Sequence, residues 1–267
     1  MERYYEKSVH MLNNHGIVRE GFFAFFEDVN AQGDGFQLFG AVHLTALVLT
    51  VAATIGVCLL CRRLNRDRQW VLFRLIVVTV LMLELVRQFS FPLVHGHYWL
   101  KHLPLHMCGL ILFIEAIHMH KPNKFTGEII YSLGLPGAIA AMLFPDWTLY
   151  PIFHFYPLQS FVIHALHIVL AVAMLTSGNL VPSAKNLWRP AVFLLLILPP
   201  LFALNRATGT NFFFLNAGSE GSPLEVLIDI FGNPGFILPY AGILAVLWLF
   251  MYLPWHRAEK QNLKRFK

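Results

Sequence analysis

Residues 36–61 read FQLFGAVHLTALVLTVAATIGVCLLC and contain no Asp, Glu, Lys or Arg. A helix needs about 20 mainly apolar residues to cross the hydrocarbon core of a bilayer, because each residue advances about 1.5 Å and the core is about 30 Å thick. This stretch meets that requirement without an interruption. It therefore predicts a transmembrane helix.

The composition of the whole chain supports an integral membrane protein. Of its 267 residues, 57% are hydrophobic and 13% are charged, and the mean hydropathy is +0.57. Ordinary soluble domains carry about 25% charged residues, so this chain lacks the charge that a water-facing surface of its size needs. The composition excludes a disordered chain and disfavours a soluble enzyme.

Seven stretches of the sequence are long and apolar enough to be transmembrane helices. They are Phe36 to Cys61, Trp70 to Leu93, Leu100 to Met119, Gly127 to Phe144, Phe153 to Thr176, Leu187 to Leu204 and Gly235 to Leu253. Pro104 interrupts the third and Gly134 to Gly137 the fourth, as in broken or tilted segments. We predict an all-α polytopic membrane helix bundle with seven transmembrane helices, forming one domain over residues 36–254. An extracytoplasmic or interfacial segment, residues 1–35, precedes it, and a basic cytoplasmic tail, residues 255–267, follows it.

The basic residues predict the orientation of the bundle, because cytoplasmic loops are enriched in Lys and Arg. Nine of them lie after the first stretch or at the end of the chain: Arg62, Arg63, Arg66, Arg68, Arg257, Lys260, Lys264, Arg265 and Lys267. Seven spans place both groups in the cytoplasm only if the amino terminus is outside, so we predict a multi-pass protein of the cell membrane with that orientation. The net charge of +5 then reflects topology, and the expected partners are membrane lipids and not nucleic acids. The sequence carries no signal for an oligomeric state.

Ionisable side chains inside the predicted spans need a partner or a function, because each costs about 2.5 to 3.5 kcal/mol on insertion scales. Glu84 and Arg87 lie three residues apart, on one face of the second helix, where they can neutralise each other. We interpret them as a structural ion pair. Glu115, in the third span, has no such local partner and is expected to be protonated or to pair with a neighbouring helix.

The segment His102 to Cys108, at the outer end of the third span, holds the most informative polar residues. A thiol becomes a nucleophile when a neighbouring imidazole takes its proton. His106 lies two positions from Cys108, so a regular helix would point the two side chains in nearly opposite directions. A histidine from another helix is needed, and His164, in the fifth span, is predicted at a similar depth. His167 follows one turn later on the same face.

Three other functions fit the residue types. His102 and His106 form an H-x-x-x-H pair that suggests a histidine-bound metal enzyme, but Pro104 disturbs its helical spacing and the topology places His118 at the opposite face. We therefore expect neither a metal nor another cofactor. A proton-coupled transporter or binder of small molecules would use Glu84, His106 and His164 as a polar pathway. In a packing or assembly protein, the polar residues would only join helices.

The run Leu103 to Cys108, LPLHMC, resembles the LPLHxC signature of the YwaF-like bacterial integral membrane family, most of whose members have no assigned activity. Further matches extend the resemblance over about residues 36–254: Phe39, His43, Glu84, Glu128 to Tyr131, Gly134, Gly137, Ala138, Pro145, Asp146, His164, Gly209 to Leu215 and Tyr252 to Pro254. The family is distantly similar to a vertebrate membrane acyltransferase that moves a polyunsaturated acyl chain onto a lyso ether phospholipid. It is more remotely similar to androgen-induced hydrolases of fatty-acid esters.

The resemblance implies a lipid acyltransferase or an acyl-ester hydrolase with a Cys/His pair. His164 is then the general base and Cys108 the nucleophile, although the vertebrate Cys directly precedes the segment's histidine, where this chain has Leu105. Residues near the pair are expected to donate to the oxyanion or to bind the substrate, and the outer loop to bind a headgroup. The candidates are His106 and Gln159 as oxyanion donors, His167 beside the substrate, and Asn211 and Asn205 at the headgroup.

Overall fold

The computed structural model describes residues 35–95, 100, 102–148, 154–218 and 221–265, and the regular structure in these residues is all helical. Side chains are described up to residue 90 of the first range and up to residue 255 of the last. Nearly all of the predicted segment 1–35 lies outside the described residues, as do the side chains of the predicted tail beyond residue 255.

Nine α-helices follow one another along the described residues. They are α1 Ala41–Arg63, α2 Arg66–His95, α3 Met107–His120, α4 Lys124–Ile129, α5 Leu135–Leu143, α6 Phe155–Thr176, α7 Trp188–Thr208, α8 Pro223–Phe231 and α9 Ile237–Arg265. A π-helical turn, Ile130–Gly134, joins α4 to α5. Short 3₁₀ turns precede and follow α7, at Ala184–Asn186 and Phe212–Phe214. The last helix runs without a break through the predicted start of the basic tail at residue 255.

Six helical segments in the described part of the chain are long and apolar enough to cross a membrane. They are Ala41–Arg63, Arg66–Ser90, Lys124–Leu143, Phe155–Thr176, Ala184–Thr208 and Ile237–Trp255. The third predicted span is shorter than expected, because α3 begins only at Met107 and its 14 residues extend about 21 Å. Pro104 explains the late start, since proline has no N–H to donate and disfavours helical geometry in the residue before it. The protein is a multi-pass helical membrane protein.

Helix α6 lies at the centre of the bundle and packs against α1, α2, α5 and the π-helical turn. Its residues Leu170 and Met174 are fully buried in the core that α2 completes with Phe73 and Val80. By contrast, α1, α7 and α9 expose most of their surface, and that surface is apolar. Apolar surface on peripheral helices is what contact with lipid requires, so the polar groups that need shelter lie around α6.

The fourth predicted span is interrupted where the sequence predicts it. Pro136 has no N–H, so the carbonyl of Ser132, four residues earlier, loses its helical partner. The indole N–H of Trp248, on α9, donates to that carbonyl at 2.8 Å. Gly134 has no side chain, and a Cβ atom there would lie 3.0 Å from Ile111 Cγ2 on α3. The break thus lets α3 approach closely while α9 satisfies the freed backbone group.

The helix ends that carry most of the described basic residues meet at one end of the bundle, which we call the arginine-rich end. Gln69 Nε2 donates to the carbonyl of Cys61 at 2.8 Å, and Asn179 Nδ2 donates to Gln69 Oε1 at 2.7 Å. Nearby, Glu128 Oε1 accepts the backbone N–H of Ser183 at 2.9 Å. These bonds join the ends of α1, α2, α4 and α6 to the loop before α7. The residues with candidate chemistry lie towards the opposite end.

Candidate functional site

Polar side chains from α2, α3 and α6 gather inside the bundle, and we call them the polar cluster. Its members are Glu84, Arg87, His106, Cys108, Glu115, Gln159, His164 and His167. Hydrogen bonds or charge interactions link each member to at least one other. Helix α2 packs against both α3 and α6, and the hydrogen bond between His167 and Glu115 joins α3 to α6, so these residue types come together inside an apolar bundle.

Glu84 and Arg87 form a two-point ion pair on α2. Arg87 Nε donates to Glu84 Oε2 at 3.0 Å, and Nη2 donates to Oε1 at 2.6 Å. Gln88 and Gln159 also direct amide N–H groups at this carboxylate, at 2.7 Å and 3.4 Å. Glu84 is buried, so the pair offsets a charge that would be costly alone. It also holds the guanidinium in place beside the rest of the cluster.

The segment before α3 is fixed against α2 and against its own helix. Gln88 Nε2 donates to the carbonyl of His102 at 2.6 Å. Gly109 lets the backbone of Pro104 fold back onto α3, because a Cβ atom at position 109 would lie only 2.5 Å from the Pro104 carbonyl oxygen. These two contacts place His106 and Cys108 at the beginning of α3, facing the charged pair of α2.

His106 lies between that charged pair and the loop after α7. Its ring contacts Phe212 and Phe214, with centroid distances of 5.3 Å and 5.4 Å. It interacts electrostatically with Arg87 and His164. The role of His106 as an oxyanion donor remains a prediction.

His164 is buried, and its tautomer follows from its hydrogen bond. Nδ1 lies 2.6 Å from the carbonyl oxygen of Ser160, which can only accept, so Nδ1 carries the proton. The Nε2 atom then presents a lone pair. The ring stacks on Trp147, with centroids 5.2 Å apart and an interplanar angle of 18°. Asp146, in the loop between α5 and α6, is close enough to interact with it electrostatically.

His167 has a carboxylate partner that sequence reasoning missed. Its Nδ1 lies 3.0 Å and 2.9 Å from the two carboxylate oxygens of Glu115, on α3, and both side chains are 1% exposed. Its Nε2 is buried and has no hydrogen-bond partner among the described residues. The one signal in the sequence was that Glu115, without a local partner, was expected to be protonated or to pair with a neighbouring helix, and it does lie beside His167 of α6.

Cys108 is a partly exposed free thiol surrounded by charged groups. It interacts electrostatically with His167, Arg87 and Glu84. The interactions of His164 include His106, Asp146 and Arg87. Cys108 thus belongs to one cluster with both α6 histidines, and the imidazole of His167 is among the charged or ionisable groups around the thiol. The predicted pairing of Cys108 with His164 remains a prediction.

The two asparagines predicted at the headgroup hold the loop after α7. Asn205 is fully buried, and its Oδ1 accepts from the Phe212 N–H and from the Thr210 hydroxyl, both at 2.9 Å. Asn211 Oδ1 accepts the backbone N–H groups of Asn216 and Ala217, at 2.9 Å and 3.1 Å. Their binding to a lipid headgroup remains a prediction, because the bonds of Asn205 join α7 to the loop and those of Asn211 lie within the loop.

No group of three or more His, Cys, Asp and Glu side chains is arranged to hold a metal ion in the part of the chain that the structure describes. His118 illustrates how the histidines are dispersed. Its Nδ1 lies 2.7 Å from the hydroxyl of Thr126, and its ring stacks on Trp70 near the arginine-rich end. The side chains of two further histidines, His95 and His97, lie outside the described residues.

The fold and the polar cluster define a multi-pass helical membrane protein with an ionisable site sheltered inside its bundle. Within that class, the chain belongs to the TMEM164 family, whose model matches residues 38–252. The match includes every member of the polar cluster. No curated protein and no solved structure matches the chain.

Proposed function

We propose that this protein is a lipid acyltransferase or acyl-ester hydrolase whose nucleophile is Cys108 and whose acid-base groups are histidines of α6. The observation that carries the proposal is the gathering of a thiol and two imidazoles, each with a fixed tautomer, beside a charged pair inside an apolar bundle. The resemblance to the YwaF-like family, with its distant acyltransferase and hydrolase relatives, supports the same chemistry. It implies His164 as the general base.

The reaction takes place in two steps. An imidazole takes the thiol proton of Cys108, and the sulfur bonds to the carbonyl carbon of an acyl ester. The bond from that carbon to the ester oxygen breaks, and the departing alkoxide takes the proton from the imidazolium. In the second step, water or the hydroxyl of a lysolipid attacks the thioester, its proton passes to the imidazole, and the thiolate leaves. Gln159 and His106 are the proposed donors to the oxyanion.

The proposal includes seven membrane crossings with the amino terminus outside. Helix α3 is short, but the turn before it continues the third crossing towards the opposite end. The arginine-rich end would be cytoplasmic. A membrane-impermeant maleimide should then label Ala217→Cys, in the loop after α7, and not Arg62→Cys, in intact cells that carry the chain without its native cysteines. The reverse labelling would overturn the orientation.

The activity is tested with an activated acyl-ester lipid probe on the purified protein. We expect labelling of the wild-type chain, none of Cys108→Ala, and labelling reduced by about 100-fold in His164→Ala, which is the usual contribution of an acid-base group. Cys58→Ala is the matched control, because Cys58 is also partly exposed but lies near the arginine-rich end. Labelling that neither Cys108→Ala nor His164→Ala changes would remove the enzyme proposal.

A proton-coupled transporter or small-molecule binder makes a different prediction. Glu84, His106 and His164 would then carry protons along the cluster, and the thiol would be dispensable. Comparison of membrane lipids with and without the protein separates the two functions. If the wild-type protein changes the acyl profile of the lipids and Cys108→Ala does not, the result supports the enzyme. An unchanged acyl profile with an altered solute level supports the transporter.

A further inference from the structure

The buried Glu115 carboxylate has a single described partner, the imidazole of His167. Both side chains are 1% exposed, and they come from different helices, α3 and α6. A carboxylate at this depth is costly without a compensating donor. Neither residue is explained by helix packing alone, because apolar side chains of similar size would fill the same space without that cost.

The geometry of this pair fixes the direction of the imidazole. Both oxygens of Glu115 face Nδ1, at 3.0 Å and 2.9 Å, and an ionised carboxylate can only accept. In the neutral imidazole, Nδ1 therefore donates to the carboxylate and Nε2 has the lone pair. That atom is buried and without a hydrogen-bond partner among the described residues, which is unusual for a polar atom inside a protein.

The thiol of Cys108 lies on the same side of α3 as this pair. Cys108 precedes Glu115 by seven residues, so the two side chains lie on one helical face about two turns apart. The groups that interact electrostatically with Cys108 are His167, Arg87, Glu84 and, from α6, Tyr156. The imidazole among them is thus the one that Glu115 orients.

We infer that Cys108, His167 and Glu115 form a proton-transfer triad that activates the thiol, a role that rests on the proposed function for its use in acyl transfer. The S–H bond of Cys108 breaks, its proton bonds to Nε2 of His167, and the electron pair stays on sulfur. Glu115 is a positioning residue: it holds the tautomer and offsets the positive charge of the imidazolium. His164 is then available as the acid-base group for the oxygen atoms of the lipid substrate.

The test measures the rate at which iodoacetamide alkylates Cys108 at pH 7 in the full-length protein, in a Cys58→Ser, Cys61→Ser background. We expect His167→Ala to slow alkylation by about 100-fold, with free imidazole restoring part of the rate. Glu115→Gln keeps an acceptor of the same shape and should slow it about tenfold through the lost charge. Restoration by imidazole is a response that a merely structural histidine would not give.

A control variant makes the result specific. His118→Ala removes another buried histidine, whose partner is Thr126, and should leave the alkylation rate of Cys108 unchanged. An alkylation rate that neither His167→Ala nor Glu115→Gln changes would overturn the triad. So would a rate that falls in His164→Ala but not in His167→Ala. Because Glu115→Gln is isosteric, it decides the question even where His167→Ala does not fold.

Alkylation requires no lipid, so the triad and the proposed function can fail separately. If the alkylation rate of Cys108 depends on His167 and Glu115 but the acyl-ester probe does not label Cys108, the triad is supported and the acyl chemistry is rejected. If Glu115→Gln changes neither the labelling of Cys108 by the probe nor its alkylation rate, the acyl chemistry is supported and the triad is rejected.

Discussion

Two buried carboxylates in this bundle have contrasting surroundings. Glu128, near the arginine-rich end, accepts hydrogen bonds from the Ser183 N–H, the Asn186 amide and the Tyr252 hydroxyl. Glu115 faces one imidazole, whose other nitrogen has no described hydrogen-bond partner. The donors around Glu128 are two amides and a hydroxyl, so they hold helices together. The partner of Glu115 is a base, and this difference separates a structural carboxylate from one that can support chemistry.

The largest expected effect concerns the ion pair of Glu84 and Arg87, whose charges neutralise each other in the polar cluster. Arg87→Ala leaves the buried Glu84 carboxylate without its cation, which should destabilise the fold by about 3 to 5 kcal/mol in denaturant unfolding in detergent micelles. Arg62→Ala, an exposed arginine at the end of α1, is the control and should change stability little. Equal stabilities for the two variants would contradict the described ion pair.

Glu128→Ala should separate stability from reactivity. It leaves three donors unpaired, each costing about 1 to 3 kcal/mol if it stays dry, so we expect a loss of roughly 3 kcal/mol in the same unfolding assay. The alkylation rate of Cys108 should stay at the wild-type value, whereas Glu115→Gln changes that rate. If Glu128→Ala slowed alkylation as much as Glu115→Gln, the two carboxylates would not differ in function.

Gly109→Ala should disturb the polar cluster without changing any of its side chains. The new Cβ atom would lie 2.5 Å from the Pro104 carbonyl oxygen, so the turn before α3 must move, at about 1 to 3 kcal/mol. We expect slower alkylation of Cys108. Gly56→Ala is the matched control: nothing lies within 4 Å of a Cβ atom there, and alanine favours a helix by up to about 1 kcal/mol. A stable Gly109→Ala with normal alkylation would contradict this packing.

The smallest expected effect concerns the break between α4 and α5. Trp248→Phe removes the donor to the Ser132 carbonyl and should cost about 1 kcal/mol in the unfolding assay. Trp188→Phe, at an exposed position, is its control and should cost less. Alkylation of Cys108 should be normal in both variants, because neither tryptophan is part of the polar cluster.

Contacts local in sequence could be predicted, and contacts between distant helices could not. Apolar runs predicted the positions of the membrane helices, and Pro104 and the Gly134 to Gly137 run predicted where two of them break. Glu84 and Arg87 are three residues apart, so their contact follows from helical geometry. Glu115 and His167 are 52 residues apart, and their contact depends on how α3 packs against α6. No local pattern specifies that packing, so the carboxylate partner of His167 was missed.

The same reason explains why the sequence could not distinguish the surroundings of the two α6 histidines. His164 and His167 share one face of α6, and the sequence alone does not specify which of them faces α3. The hydrogen bonds of their Nδ1 atoms distinguish them: His164 donates to its own helix, and His167 donates across to Glu115. No sequence motif predicts the side-chain geometry that distinguishes these two histidines.

The most direct test of the account is the mass of the peptide that contains Cys108 after brief exposure of the wild-type protein to an activated acyl-ester lipid. We predict a mass increase equal to one acyl group on Cys108, removed by neutral hydroxylamine as a thioester is, and absent from Cys108→Ala. An acyl group found only on Cys58 or Cys61, or an unmodified Cys108 in protein that is fully folded, would contradict the account.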